Sequence, residues 1–312
     1  MPITRTTLLS GPATATFAGH TFIARDGILV TPALELEAVD SDAQGILDAT
    51  ATLAPVTIKF TPLAAFADLI ALYPFLDGAP GTPLFGASDT PLVLVAANGV
   101  RLTFSAVAVA QMPDLSLGSR GAVAGAVTFL ALGARSLPIT AANRLVTIDT
   151  TTAPVFPAVA PQLTDDFEIT WGGAPWLNLR ARDGVEVKFA MKTRPVMSAA
   201  NGLLDMTLES LTVTASFVPA TPSGPTEADV FSALQAQGTL PGRLLSQGAA
   251  TLMIAGEHMW MQMPLAQLTA GALTFDAVRS RVGELVFTAT RAVLEAEQAL
   301  SGLASLSEGE PI

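Results

Sequence analysis

The chain has 312 residues, a formal net charge of −11 at pH 7 and no cysteine. The acidic balance argues against a protein that grips nucleic acid by its phosphates, and the missing cysteines exclude disulfides and thiolate metal sites. Its mean hydropathy is high, at +0.49, but the longest apolar run, Gly121–Ala134, has 14 residues, fewer than the roughly 20 that a membrane-spanning helix needs.

The first predicted elements are an arm, a hairpin and a long strand. Residues 1–16 are rich in Thr and Ala and predict an extended arm. Asp26-Gly27 separates two apolar-rich runs, Thr16–Arg25 and Ile28–Glu37, and this dipeptide favours a two-residue hairpin turn. Ile46–Phe60 follows, with alternating apolar and polar residues, and predicts a long strand.

One helix, a second hairpin and a last strand complete the first half. Leu63–Tyr73 has apolar residues at helical spacing. Asn98-Gly99 predicts the turn of the second hairpin, and Ala122–Leu132 predicts the last strand. A Pro-rich linker, Gly133–Gln162, should be extended and semi-rigid, with a short strand at Leu145–Thr151.

The second half repeats this order of elements. Asp183-Gly184 predicts the first turn, Leu203–Val218 the long strand, and Thr226–Gln237 the helix, which opens with a capping box of Thr226 and Asp229. A second hairpin is predicted around Gly256-Glu257. The remaining predictions are a last strand at Gly283–Ala292, an amphipathic tail helix at Leu294–Leu306 and a mobile end, SEGEPI.

The strongest pattern is an internal repeat. Ala24–Pro62 recurs as Ala181–Pro219 at a constant offset of 157 residues, without a gap and with 17 of 39 positions identical. This length of match indicates a tandem duplication. It predicts a first domain at 1–150, with the arm and a linker beginning near residue 133, and a second at 151–312. Since one helix cannot cover both faces of a sheet, the predicted fold class is α+β, mainly β. Each copy is a sandwich or barrel-like domain with one flanking helix.

No catalytic, cofactor-binding or metal site is predicted. The chain has two histidines, His20 and His258, at positions that are not equivalent in the repeat. The HExxH, GxSxG and GxxxxGK[ST] motifs are absent. An enzyme would need a site made from scattered carboxylates, and this class is therefore disfavoured.

Two sets of charged residues suggest surfaces. Because successive side chains of a strand point to opposite faces, one face of the long strands is predicted to carry Asp48, Asp205 and Glu209. This face is either an ordinary solvent face or the acidic lining of a pore. Glu35 and Glu37 correspond in the repeat to Lys192 and Arg194. In a ring of alternating copies these four residues would alternate in charge and set the order of the copies. The alternative is that both strands face solvent and diverged freely.

The element order, the duplication and the acidic, Ala/Thr-rich strands resemble the major tail tube proteins of long-tailed bacteriophages. That family shares its fold with the tubes of contractile injection and type VI secretion machines. The resemblance covers Thr16–Leu132 and Trp171–Ala292. Six domains form each ring in this family, and members with two fused domains form trimeric, pseudo-sixfold rings that stack into a tube.

The resemblance implies a structural virion protein without enzymatic activity or cofactor. Its partners would be further copies of itself, other tail proteins such as tape measure and terminator proteins, and DNA only in transit through the lumen, with no membrane. It would reside in the virion tail, and in the host cytoplasm during assembly. The alternative function is a tandem β-sandwich binding or adhesion module. That class more often exposes aromatic residues on a concave face, whereas aromatic residues make up only 6% of this chain.

Overall fold

The computed structural model describes residues 12–132, 145–150, 154, 156, 167–198, 202–220, 225–238, 248–275, 280–291, 293–294, 299–300 and 302–308, with short gaps at 33–34, 42–44, 54, 87–88 and 119–120. The protein is mostly β, which confirms the predicted fold class in its coarse form. Within these ranges no helix has the length and apolarity that crossing a membrane requires.

The described residues of the first half form twelve strands and one short helix. In chain order they are β1 (Ala13–Phe17), β2 (His20–Pro32), β3 (Glu35–Ser41), β4 (Gly45–Leu53), β5 (Val56–Leu63), α1 (Phe66–Ile70), β6 (Leu92–Ala96), β7 (Val100–Phe104), β8 (Ala106–Gln111), β9 (Leu115–Gly118), β10 (Gly121–Ala124), β11 (Val127–Leu132) and β12 (Val146–Thr150). The second predicted hairpin, at Asn98-Gly99, is confirmed as β6–β7, and the predicted strand in the linker is confirmed as β12.

The second half has longer strands. They are β13 (Glu168–Trp171), β14 (Leu179–Ser198), β15 (Gly202–Pro219), α2 (Glu227–Gly238), β16 (Ala250–Ala255), β17 (Met259–Phe275), β18 (Ser280–Ala289), β19 (Val293–Leu294), β20 (Ala299–Leu300) and β21 (Ser305–Glu308). The predicted long strand, helix and second hairpin are confirmed as β15, α2 and β16–β17.

The strands of each half pair in the same circular order. In the second half, β13, β14, β15, β18, β17 and β16 close into a six-strand barrel, since β16 pairs again with β13. In the first half, β1, β2, β5, β11 and β8 follow the same order. There the fifth strand, the counterpart of β17, is divided at Ser105 into β8 and β7, and β7 leads back through the sixth strand, β6, to β1. The outer strands β12 and β21 pair with β7 and β17.

The repeated segment forms the same strand pair in both halves. Ala24 lies opposite Pro62 and Ile28 opposite Phe60, as Ala181 lies opposite Pro219 and Val185 opposite Phe217. Two extra residues therefore bulge out of β2 and of β14. The glycines in these bulges, Gly27 and Gly184, have φ values of 86° and 93°.

The predicted hairpins at Asp26-Gly27 and Asp183-Gly184 are therefore wrong. Positive φ at glycine serves a bulge as well as a turn, and here the strand continues past it because β5 or β15 runs alongside. In the first half the chain reverses earlier, at Ala18-Gly19, between β1 and β2.

The distal parts of the repeated segment also share their pairing. In the first half, Glu35 lies opposite Leu53 and Ser41 lies opposite Gly45. The residues 157 positions later pair in the same way, since Lys192 lies opposite Ser210 and Ser198 lies opposite Gly202. Both hairpins carry two further register shifts, at corresponding places. The predicted strand Ile46–Phe60 is divided into β4 and β5, whereas β15 runs through without interruption.

One hydrophobic core extends through both halves. Each barrel contains a stacked phenylalanine pair: Phe60 with Phe129, and Phe217 with Phe287, both with ring centroids 5.8 Å apart. Burial of a side chain of this size contributes about 1.5–3 kcal/mol. Met259, Met261 and Met263 alternate into the core along β17, as expected for a strand with one buried face.

The two helices differ in their agreement with prediction. The capping box of α2 is confirmed: the Thr226 N–H donates to Asp229 Oδ2 (2.8 Å), and the Asp229 N–H donates to Thr226 Oγ1 (3.3 Å). Hydrogen bonds from Thr226 hold the pKa of Asp229 below its usual value. The helix α1 is shorter than predicted because Leu63 belongs to β5 and the chain turns after Ile70.

The predicted tail helix is wrong. Short strands occupy this part of the chain, and Ser305–Glu308 forms β21, which pairs with Met259–Gln262 of β17. Residues 307–308 of the predicted mobile end therefore lie in a sheet, and residues 309–312 are outside the described part. A free edge on β17 offers backbone hydrogen bonds that outweigh a weak helical pattern.

Candidate assembly surface

The two halves are joined by strand pairing rather than by a linker alone. The predicted strand Ala122–Leu132 is broken at Gly125, whose N–H donates to the Asp114 carbonyl (2.7 Å). The chain before this break forms the hairpin β9–β10. It leaves the first barrel and adds to the second at β14.

Strand β9 covers a defined stretch of β14. Leu117, Ser116 and Leu115 lie opposite Val185, Glu186 and Val187. Val185 and Val187 retain only 1% and 0% of their exposure. A side chain on Gly184 would overlap the carbonyl oxygen of Leu117, so the close approach of β9 requires glycine there.

A loop of the first half adds a second contact, along β15. The Gly81 N–H donates to the Leu208 carbonyl (2.7 Å), the Leu208 N–H to Thr82 (2.8 Å), and the Leu84 N–H to Met206 (2.7 Å). This pattern is that of a short added strand. The first half thus supplies strands to both members of the β14–β15 hairpin.

Phe189 of β14 is the centre of a third contact. Its N–H donates to Asp114 Oδ1 (3.2 Å), and its carbonyl accepts from Gln111 Nε2. The ring of Tyr73 packs on the Phe189 ring. Burial, and to a lesser degree the charge of Asp114, raises the pKa of Tyr73 well above its ordinary value.

The chain after β18 returns to the first half. The Leu303 N–H donates to the Leu76 carbonyl (3.0 Å), and Arg291 Nη2 donates to the Gly78 carbonyl. Burial lowers the pKa of Arg291, while nearby Asp77 acts in the opposite direction. The contact between halves is therefore reciprocal and extensive.

The predicted lumen-facing residues have different surroundings. Asp205 is half-buried, and its Oδ1 accepts from the N–H groups of Met206 (2.7 Å) and Phe85 (3.2 Å). Glu209 is exposed. It lies opposite no residue of β14, because the register of the β14–β15 pair shifts at this point. Asp48 lies on β4 opposite Val39, and its side chain is outside the described part.

The shared face of Asp205 and Glu209 stays a prediction. A bulge of β15 lies at Glu209, between the buried Leu208 and the half-buried Ser210.

The four residues with opposite charges in the two halves lie at equivalent places. Glu35 and Glu37 are on β3, opposite Leu53 and Thr50. Lys192 and Arg194 are on β14, opposite Ser210 and Thr207, and both are exposed. Because residues 192–194 follow one another without an inserted residue on β14, the two cations share a face. The side chains of Glu35 and Glu37 lie outside the described part.

The histidines form ordinary polar contacts. His20 Nδ1 lies 2.8 Å from Asp68 Oδ1, which ties β2 to α1, and His258 Nε2 lies 4.0 Å from Glu257. Across the described ranges, no group of three or more potential metal ligands occurs.

The hairpin β9–β10 is the important feature that sequence reasoning missed. Three glycines, Gly118, Gly121 and Gly125, surround its short apolar runs. They signal a tight hairpin and a break before β11, but nothing local identifies β14 as the partner.

Comparison of the sequence with models of known protein families and with curated proteins finds no match. Function must therefore be inferred from the geometry.

Proposed function

We propose that this protein is a structural tail tube subunit of a bacteriophage, in which two diverged copies of one domain lie in a single chain. Three chains would form a ring of six barrels, and rings would stack into a tube through which DNA passes. The observation that carries this proposal is the common architecture of the halves. They share the circular strand order and the pairing register of the repeated segment, including its bulges.

Several independent features support descent from one domain. The 39-residue match in sequence coincides with the strand pairs that have equal registers. The stacked pair Phe60–Phe129 has its counterpart in Phe217–Phe287 at the same separation. Similar local sequences alone would not reproduce contacts with residues outside the repeated segment.

The contact between the halves supports a ring. It is heterologous, since different surfaces of the two barrels meet: β9 and residues 81–84 on one side, β14 and β15 on the other. A heterologous contact that repeats between like units produces a closed ring or an open filament. Closing a ring also removes exposed sheet edges, which otherwise promote aggregation.

An acidic channel suits the passage of DNA. The proposed lining residues are Asp48, Asp205 and Glu209. Lys or Arg would bind DNA by neutralising its phosphates and releasing the counterions of the DNA, whereas carboxylates do neither, so the DNA can pass without being held. Asp205 would also hold Phe85 of the first half at the joint. Tape measure and terminator proteins of the tail are the proposed further partners. The proposed location is the virion tail, with the host cytoplasm as the site of assembly.

The decisive experiment combines mass measurement with electron microscopy of the purified chain. We expect rings or tubes with an open centre and three chains per ring. Six chains per ring, or a stable monomer at high concentration, would contradict the proposal. Isolated two-lobed particles would instead favour a tandem β-sandwich binding module.

A further inference from the structure

The first barrel has an uncovered edge where the second barrel is covered. On β2, the stretch Ile28–Val30 pairs with β5 on one side. On the other side, β1 reaches only His20–Ile23. No strand in the described ranges pairs with this second edge of Ile28–Val30. The equivalent edge on β14, at Val185–Val187, is covered by β9.

Burial and free space differ accordingly. Leu29 is 63% exposed, and Ile28 and Val30 are only partly buried. A side chain added at Gly27 would meet no atom within 4 Å, whereas one added at Gly184 would collide with β9. A shallow depression of about 320 Å³ lies over the bulge, lined by Gly27 and Leu29 of β2 and by Phe60 of β5. The first half thus has an edge of the same form without its strand.

The second half has a hairpin equivalent to β9–β10. The distal end of β17–β18 pairs Leu273 with Val282 and Phe275 with Ser280. These pairs correspond, at an offset of 158 residues, to Leu115 with Ala124 and Leu117 with Ala122. We call Leu273–Phe275 with Ser280–Val282 the distal hairpin.

The two hairpins differ in their partners. Whereas β9–β10 crosses to the neighbouring barrel, the distal hairpin is a continuation of β17 and β18 of its own barrel. Its strands, as far as the structure describes them, pair only with each other. Thr274 and Arg281 are exposed on it.

We propose that the distal hairpin of one chain adds to the Ile28–Val30 edge of a second copy of the chain. The contact between the two copies would have the same strand arrangement as the contact of β9–β10 with β14 within one chain. Thr274 would lie opposite Leu29 of the next copy, as Ser116 lies opposite Glu186. Backbone hydrogen bonds along an exposed edge provide the affinity in this mode of binding. The inference rests on the proposed function, because it identifies the contact that would close the ring.

Cysteine cross-linking tests this contact directly, since the chain contains no cysteine. One preparation carries Leu29→Cys and another carries Thr274→Cys, both at exposed positions. Directly opposed residues of antiparallel strands lie within reach of a disulfide. Mixing and mild oxidation should produce a disulfide-linked dimer containing one chain of each kind, with loss of both free thiols. The double variant should produce a closed three-chain product.

Two matched controls make the result decisive. Ser116→Cys with Glu186→Cys in one chain should form the equivalent bond internally, without a change in chain number. Leu29→Cys mixed with Thr212→Cys, an exposed position on β15, should remain unlinked. Failure of the Leu29–Thr274 pair to cross-link while the internal pair forms would overturn the inference.

The outcome also separates this inference from the proposed function. Open rings seen by microscopy without the Leu29–Thr274 bond would keep the tube subunit and reject this contact. The bond without rings or tubes would keep the contact and reject the tube subunit.

Discussion

The ring of Tyr73 in the first half packs against the ring of Phe189 in the second, with centroids 5.0 Å apart and planes inclined by 53°. The backbone of Phe189 is held at the same time by Asp114 and Gln111 of the first half. The Tyr73 hydroxyl is buried and has no hydrogen-bond partner among the described residues. The packing of the ring, rather than its polar group, therefore joins the halves here.

Replacing Tyr73 by phenylalanine should preserve or raise stability. A buried hydroxyl without a partner costs about 1–3 kcal/mol, so we expect Tyr73→Phe to raise the free energy of unfolding by about 1 kcal/mol. Tyr73→Ala should lower it by about 3–5 kcal/mol through loss of the ring. Urea unfolding measures both. A clear loss of stability in Tyr73→Phe would show that the hydroxyl has a partner.

The same residue predicts a loss of stability at high pH. Burial raises the pKa of Tyr73 above its ordinary value of 10.0. The folded state therefore retains this proton after the unfolded state has released it. Below pH 10 the group has no effect, and above it stability falls as pH rises, because the unfolded chain then binds fewer protons.

Tyrosinate absorbance reports this effect cleanly, since Tyr73 is the one tyrosine of the chain. We expect its ionisation to coincide with unfolding, and Tyr73→Phe to lose stability less steeply in the same range. Reversible ionisation near pH 10 without unfolding would contradict the prediction.

Equivalent glycines should respond differently to alanine. Gly27 and Gly184 both have positive φ, so alanine costs roughly 1–2 kcal/mol of backbone strain at either position. At Gly184 the new methyl group also collides with β9, which should cost about 1–3 kcal/mol more. Chemical denaturation at low protein concentration compares the two variants. Equal losses of stability would mean that β9 does not approach Gly184 closely.

Gly271 allows α2 to pack on β17. A Cβ there would lie 2.8 Å from Val230 Cγ1 and 3.3 Å from Leu285 Cδ2. Gly271→Val should push α2 away and lower the free energy of unfolding by about 1–3 kcal/mol. Hydrogen exchange of the α2 amides locates the change. Ala272→Val, at the exposed neighbouring position, is the control and should leave α2 protected.

Charge reversal tests the proposed alternation of the two copies. An exposed ion pair contributes only about 0–1 kcal/mol, but repetition around rings and along a tube would multiply a small preference. Lys192→Glu with Arg194→Glu should therefore impair assembly. Adding Glu35→Lys with Glu37→Lys should restore it. Sedimentation and microscopy measure assembly, and normal assembly of the first double variant at low salt would refute the idea.

Features that depend on neighbouring residues were predictable from the sequence. The turn at Asn98-Gly99, the capping box of Thr226 and Asp229, and the alternation of Met259, Met261 and Met263 each follow from local geometry. The repeated segment was evident from the sequence alone. Its equal pairing in both halves emerged only from the structure.

The sequence by itself determined the strand-rich character, the positions of β12 and β15, and the preference of Gly27 and Gly184 for positive φ. Only the tertiary structure decided that these glycines form bulges, that β9 adds to β14, and that Ser305–Glu308 is a strand. The physical reason is common to all three. Local preference limits the backbone of each residue to a few conformations, and hydrogen bonding to a strand distant in sequence selects among them.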